Sequence, residues 1–255
     1  MLFSEFGDKQ NPPVLLMHGM MQKWESEYAL LKPLEKHYRL IIPAMDGFYE
    51  GSGTFTSFAD QARQIEEYVQ VHYGGKLHGA YGASQGGLML TELLTRNNIQ
   101  IKTVVMDGVY VAHQGALSGW VTYKMFCKFK NTGSFPALIH VMMKLMGVKL
   151  EDMLGDFETS MYLKASDESI KRNFMENYTY HTRPEISRTQ SKVYLWCGSK
   201  EPYAIKSHRI LKKYLQNYEE AIFDGYGHGE MLLKENQKTC SMIVMQFSDR
   251  ERALP

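Results

Sequence analysis

Cysteine is scarce in this sequence. There are three in 255 residues, Cys127, Cys197 and Cys240, far apart and odd in number. They form no disulfide framework and no zinc spacing, so a reducing, cytoplasmic compartment is the expected location. An excess of charge of either sign is missing as well. Lys and Arg number 29 against 28 Asp and Glu, a formal net charge of +1. Nothing here would neutralise a phosphate backbone, and no nucleic-acid partner is expected. No apolar run approaches the ~18 residues of a membrane span. The segment from Met1 to Lys9 has neither the basic stretch nor the apolar stretch of a signal peptide, so no membrane association is expected. Low-complexity tracts and internal repeats are absent. What remains, 44% hydrophobic and 22% charged, is the composition of a globular chain and excludes disorder. Its one surplus is 17 Met beside 16 Tyr and 12 Phe.

The first part of the chain alternates strand and helix patterns. Pro13 to Met17, Tyr38 to Ile42, Leu77 to Tyr81 and Val104 to Met106 are short apolar runs of strand length. Between them lie helical patterns at Trp24–Lys36, at Ser57–His72, opened by a Ser-Phe-Ala-Asp capping signal, and at Leu88–Thr95. The stretch before Pro13 is short, so strands there are expected to be reduced or absent. From Val109 to Pro184 strand signals vanish, and Trp120–Phe129, Phe135–Met146, Met153–Leu163 and Ser169–Tyr178 read as helices. Alternation resumes with the strand Val193–Cys197, the helix Ser207–Tyr218, the strand Ala221–Phe223 and a helix from Glu230 to Phe247. The expected architecture is α/β, a mostly parallel doubly wound sheet with an inserted helical cap. Residues 1–108 form the first part of the core, 109–185 the cap and 186–255 the second part of the core.

The strongest chemical signal is Gly82-Ala83-Ser84-Gln85-Gly86-Gly87, after a strand and before a helix. A serine at so tight a turn has its hydroxyl raised above the sheet edge, with the first amides of the helix aimed at any developing oxyanion. Without that context the pattern would be only a glycine-rich turn. A serine hydroxyl needs a base. Among nine histidines, His228 in Gly225-Tyr226-Gly227-His228-Gly229-Glu230 lies just past the last strand, where the glycines permit a sharp loop at the mouth of the sheet. His18 lies beside the turn Gly19-Met20-Met21 and is expected to brace it. An acid should orient the base. Glu201, in the loop after Val193–Cys197, is the first candidate and Asp107 the alternative, while Asp224 reads as structural. The oxyanion donors are expected to be the backbone amides of Gln85 and Met20, with Met21 next. Met21, Trp24 and Tyr203 are the expected substrate contacts.

Taken together, His18-Gly19, Trp24, Asp46-Gly47 with Gly51-Ser52, the GASQGG elbow, Gly198 with Glu201-Pro202 and Gly227-His228-Gly229 resemble the α/β-hydrolase-fold superfamily over nearly the whole chain. The resemblance implies a serine hydrolase with Ser84, Glu201 and His228 as its triad. It has two departures: a bulky loop from Asp46 to Ser52, and Glu where Asp is commoner. It implies no metal and no cofactor. The expected function is hydrolysis of carboxylic esters of small apolar or aromatic substrates, by a monomer or homodimer. The alternatives are a lyase or carbon–carbon hydrolase, for which Arg183 and Arg188 are the nearest substrate-reading cations, and a non-catalytic ligand-binding protein on the same fold. Part of the Met and aromatic surplus is expected to line a cleft above Ser84, and Lys124, Lys128 and Lys130 to form a solvated helix face.

Overall fold

The computed structural model describes residues 1–132, 141, 144 and 161–248. Seven strands, β1 (Leu2–Phe6), β2 (Pro13–Met17), β3 (Arg39–Ala44), β4 (Lys76–Ala83), β5 (Gln100–Asp107), β6 (Lys192–Gly198) and β7 (Tyr218–Phe223), pair in the order β1-β3-β2-β4-β5-β6-β7. All pairings are parallel except β1 with β3. Helices α1 (Trp24–Leu31), α2 (Phe58–Tyr73) and α3 (Gln85–Arg96) precede β5, and α4 (Ala116–Thr132) and α5 (Asp167–Thr179) lie between β5 and β6. They are followed by α6 (Pro202–Leu211), α7 (Glu230–Lys234) and α8 (Asn236–Phe247).

The two faces of the sheet follow from side-chain alternation along each strand. Leu15, Met17, Ile41, Val104 and Met106 face the layer that holds α2 and α3. Their neighbours Val14, Leu16, Leu40, Ile42 and Val105 face the layer that holds α1 and α8. These side chains are all fully buried, each stabilising the fold by about 1.5–3 kcal/mol relative to exposure. Residues with both neighbours buried cannot show a polar–apolar alternation, which is why PVLLM and YRLII read as plain apolar runs.

Strand β1, five residues long, is the reduced form that the expectation left open. LFSEF carries no strong strand signal, and its half-buried side chains answer to partners distant in sequence. Glu5 receives bonds from Arg39 at 2.6 Å, Tyr68 at 2.5 Å and Tyr73 at 2.7 Å. Helix α2 starts as the capping signal suggests, with Ser57 Oγ accepting from the Asp60 N–H at 3.1 Å. The expected helix Ser207–Tyr218 is displaced. Pro202 opens α6 because its missing N–H costs nothing in the first turn, and Tyr218 begins β7. The final helix is broken at Glu235 into α7 and α8.

Among the described residues no strand lies between β5 and β6. Helices α4 and α5 pack together through Tyr123, Phe126, Phe129, Phe174 and Tyr178, all buried. Lys130 does not belong to a solvated face: its ammonium donates to Asp167 and to the Ala165 carbonyl, both at 2.8 Å. Of the Met and aromatic surplus expected in part at the cleft, Phe135, Met142, Met143, Met146 and Met153 lie outside the described residues. No helix among the described residues is long and apolar enough to cross a membrane.

Candidate active site

The strand order reverses between β2 and β4. From β2 the chain turns to β3 on one side, then returns to β4 and proceeds to β7 on the other. The loops leaving the C-terminal ends of β2 and β4 therefore diverge and open a crevice, the place where open α/β sheets bind ligands. Met17 and Gly82 are paired across it. Ser84 leaves β4 here with φ 53° and ψ −116°, a conformation costing a non-glycine residue roughly 1–3 kcal/mol. It is held by the Ser84 N–H, which donates to the Asp107 carbonyl at 2.8 Å. Gly86 must lack a side chain, because a Cβ there would run into the Met17 carbonyl. Ser84 is partly exposed, and among the described residues its hydroxyl has no hydrogen-bond partner.

Gly19 lies against Ser84, its Cβ position 3.6 Å from the Ser84 Cβ. The turn is closed by the Gln22 N–H donating to the Gly19 carbonyl at 3.3 Å, and by the Gly19 N–H donating to Gln22 Oε1 at 2.8 Å. Met21 takes φ 67° at its third position, where a type II turn needs a left-handed residue. His18 is buried, with Nδ1 3.0 Å from the Gly19 carbonyl. Burial holds its imidazole below the ordinary value, so it braces the loop as a neutral ring.

His228 reaches the same edge from beyond β7. Its Nδ1 lies 2.6 Å from Glu201 Oε2, and the other oxygen of Glu201 accepts the Gly198 N–H at 2.6 Å. Glu201 is fully buried. Between the two strands Gly108 makes room: a Cβ there would stand 2.9 Å from both Glu201 Oε2 and His228 Nδ1. Burial by itself would push the His228 imidazole down. The charge and hydrogen bond of Glu201, with the charge of Asp107, outweigh it and hold His228 above its ordinary value.

Asp107 is buried beneath this pair and accepts a hydrogen bond from the Tyr81 hydroxyl at 2.9 Å. Burial first, then the negative Glu201, push it up to about 7, against the weaker opposing pull of Tyr81 and His228. The folded state holds a proton on Asp107 that the unfolded chain releases, so stability falls as pH rises from the ordinary carboxylate value of 3.8 to about 7. Asp107→Asn keeps an acceptor for Tyr81 and never ionises. Its melting temperature should exceed that of the wild type by a few degrees at pH 8 and by less at pH 5. A pH-independent difference in thermal denaturation would contradict this.

A family model for the α/β hydrolase fold matches residues 12–234. The chain belongs to the α/β hydrolase fold family. None of the curated proteins compared with it matches. Solved structures of the same fold are similar over nearly its whole length. A protein assigned to the α/β hydrolase family from Desulfitobacterium hafniense superposes with a TM-score of 0.83 at 20% identity, covering 97% of this chain and 100% of that one. An esterase from Exiguobacterium antarcticum gives 0.75 at 16%, covering 96% and 94%. A thermophilic esterase from Thermogutta terrifontis gives 0.73 at 15%, covering 96% and 91%.

Within this α/β hydrolase fold, the structure brings Ser84, Gln85, Met20, Met21, Gly108, Glu201 and His228 to one edge of the sheet. Glu201, not Asp107, holds the histidine ring. Asp224 accepts from the Ser199 hydroxyl at 3.1 Å on the surface, a structural contact. Tyr203 stands edge-on to Tyr110 with ring centroids 6.3 Å apart. Trp24 is placed against Phe6, centroids 5.9 Å apart, on the face of the sheet that holds α1 and α8. Tyr110 is absent from the sequence-derived set. Its ring stacks on His228 at 4.8 Å, close to the Glu201 carboxylate. Burial and that carboxylate together raise its phenol well above the usual range. Its signal was its position, three residues past Asp107 at the end of β5, a residue already singled out.

Proposed function

We propose that the protein is a serine hydrolase that cleaves carboxylic esters of small apolar or aromatic substrates through an acyl-enzyme on Ser84. The observation that carries this reading is a strained, accessible serine at the switch point of the sheet, at the same edge as a histidine already oriented by a buried carboxylate. Ser84 Oγ attacks the ester carbonyl, and His228 Nε2 takes its proton. Glu201 holds the proton on Nδ1 and stabilises the imidazolium. The tetrahedral oxyanion is received by the Gln85 amide, which is unused at the first turn of α3, and by that of Met20. The other amides of the Gly19–Gln22 turn support this choice. The amides of Gly19 and Gln22 are already taken up in closing it. His228 then protonates the leaving alkoxide, and water repeats the sequence to free the acid. Acyl transfer of this kind needs neither metal nor cofactor.

Helices α4 and α5, among the described residues of 109–185, act as a cap over this edge, and Tyr110 with Tyr203 gives the entrance beside His228 an aromatic wall. Of the described large side chains in the cap, most pack cap on core, so the apolar preference rests on these two and on Met20 and Met21. Arg183 donates twice to Glu92, each at 2.8 Å, and Arg188 to backbone carbonyls. Neither is available for a substrate carboxylate, which weighs against the lyase and carbon–carbon hydrolase readings.

The test is labelling with a fluorophosphonate, followed by a panel of esters varied separately on the acyl and alcohol sides. Label on Ser84 with turnover of short aryl esters is expected. Absence of both would overturn the proposal and leave a ligand-binding protein.

A further inference from the structure

The second glycine after the nucleophile has no role in the elbow itself. The tight turn around Ser84 needs small residues at Gly82 and Gly86, yet the sequence adds Gly87. A Cβ at Gly87 would stand 2.9 Å from the Cβ of Val109. Gly87 therefore makes room for the segment that leaves β5. That segment is held on both sides of Tyr110. Before it, the Gly108 N–H donates to the Trp196 carbonyl at 2.8 Å, and Val109 is fully buried against α3. After it, the N–H groups of Val111 and Ala112 both donate to Ser207 Oγ on α6, at 3.0 and 3.2 Å. Tyr110 lies between these anchors, its ring on the His228 imidazole with 24° between planes. Tyr203, also on α6, meets Tyr110 edge-on.

A hydrogen bond to Nδ1 fixes one atom of an imidazole. Glu201 Oε2 bonds there at 2.6 Å, and the ring could still pivot about that bond. A flat surface against one face removes the pivot, and with it the freedom of Nε2. The surface is also electron-rich. The face of a phenol attracts a cation, so it favours the imidazolium that forms when His228 takes up a proton. The charged groups that act on His228 are Glu201, from the loop before α6, and Asp107, at the end of β5. Neither supplies a surface parallel to the ring.

We propose that Tyr110 is a positioning residue for the base. Its ring fixes the plane of the His228 imidazole and so directs Nε2 toward Ser84, and Gly87 and Ser207 hold the segment that carries it. This rests on the serine-hydrolase reading and deepens it. The aromatic wall beside the entrance serves the chemical step as well as substrate binding.

The experiment follows one p-nitrophenyl ester across pH in wild type, Tyr110→Phe, Tyr110→Leu and Ser84→Ala, with active sites counted by fluorophosphonate titration. Tyr110→Phe keeps the stack, and its kcat per labelled site should stay within about threefold of wild type. Tyr110→Leu keeps an apolar side chain and loses the aromatic face. Its kcat per labelled site should fall roughly tenfold, and the acidic limb of kcat/KM should move to lower pH by about half a pH unit or more, because the imidazolium loses a favourable neighbour. A role as entrance wall alone would raise KM and leave kcat and the limb unchanged. A merely structural role would lower the labelled fraction and the melting temperature at the same kcat per labelled site. Either result overturns the proposal. So does a loss in Tyr110→Phe equal to that in Tyr110→Leu, which would assign the effect to the hydroxyl. If Tyr110→Leu does not fold, Ser207→Ala, which releases the Val111 and Ala112 amides, should move kcat and the limb in the same directions, and no movement overturns the proposal. Ser84→Ala separates the two levels. Loss of activity there with an unaffected Tyr110→Leu defeats this inference alone, whereas full activity in Ser84→Ala defeats the hydrolase reading and the inference with it.

Discussion

Ser84→Ala should lower kcat for a short p-nitrophenyl ester by about a millionfold, the loss typical when the nucleophile of such a triad is deleted. KM should change little, because the hydroxyl makes no ground-state bond that the substrate needs. The residual rate should still exceed that in water by roughly a thousandfold, since the oxyanion amides and the binding site survive. Fold stability should hardly move. The residue at this position has φ 53°, and Ala bears that conformation no worse than Ser does. The hydroxyl it loses has no partner among the described residues. Thermal denaturation, ester kinetics and fluorophosphonate labelling check the three parts separately. Ester turnover within tenfold of wild type in a purified, unlabelled Ser84→Ala would sink the mechanism.

Glu201→Gln comes second, with an expected fall in kcat of about ten-thousandfold. A neutral amide in place of Glu201 can donate to His228 Nδ1 and so favour the wrong tautomer, and it no longer stabilises the imidazolium. The pH profile provides an independent sign. In the wild type, Glu201 helps hold His228 above its ordinary value. The acidic limb of kcat/KM, where His228 must lose its proton to act as base, should therefore lie above pH 6.5. Removing the charge should shift that limb to lower pH while the plateau drops. Asp107→Asn provides the contrast, since its carboxylate bonds to Tyr81 and touches the histidine only through space. A loss of ten-thousandfold in Asp107→Asn with a mild effect in Glu201→Gln would reverse the assignment of the acid.

Much of the fold was legible because its parts declare themselves locally. Strands buried on both faces appear as unbroken apolar runs. Ser57 announces α2 because a helix start needs a side-chain acceptor for an orphan amide. The elbow is legible because no residue but glycine fits where Gly86 meets the Met17 carbonyl. What could not be read had its cause elsewhere in the chain. Strand β1 exists because Glu5 meets Arg39, Tyr68 and Tyr73, partners 34 to 68 positions away. Lys130 looked like one of three lysines on an exposed face, yet it bridges to a helix 37 positions on.

The same division runs through the site. The sequence by itself determined which residues could do the chemistry: a serine at a turn only small neighbours permit, a histidine in a glycine loop, and two carboxylates at strand ends. It ranked Glu201 ahead of Asp107 but left both standing, because each is the right type in the right kind of place. Tertiary structure decided between them. It set Glu201 against the ring and left Asp107 beneath, on Tyr81. It also brought Tyr110 onto His228. Local sequence carries the steric demands of a single turn. The contacts that orient one loop against another are made between side chains whose distance along the chain says nothing about their distance in space.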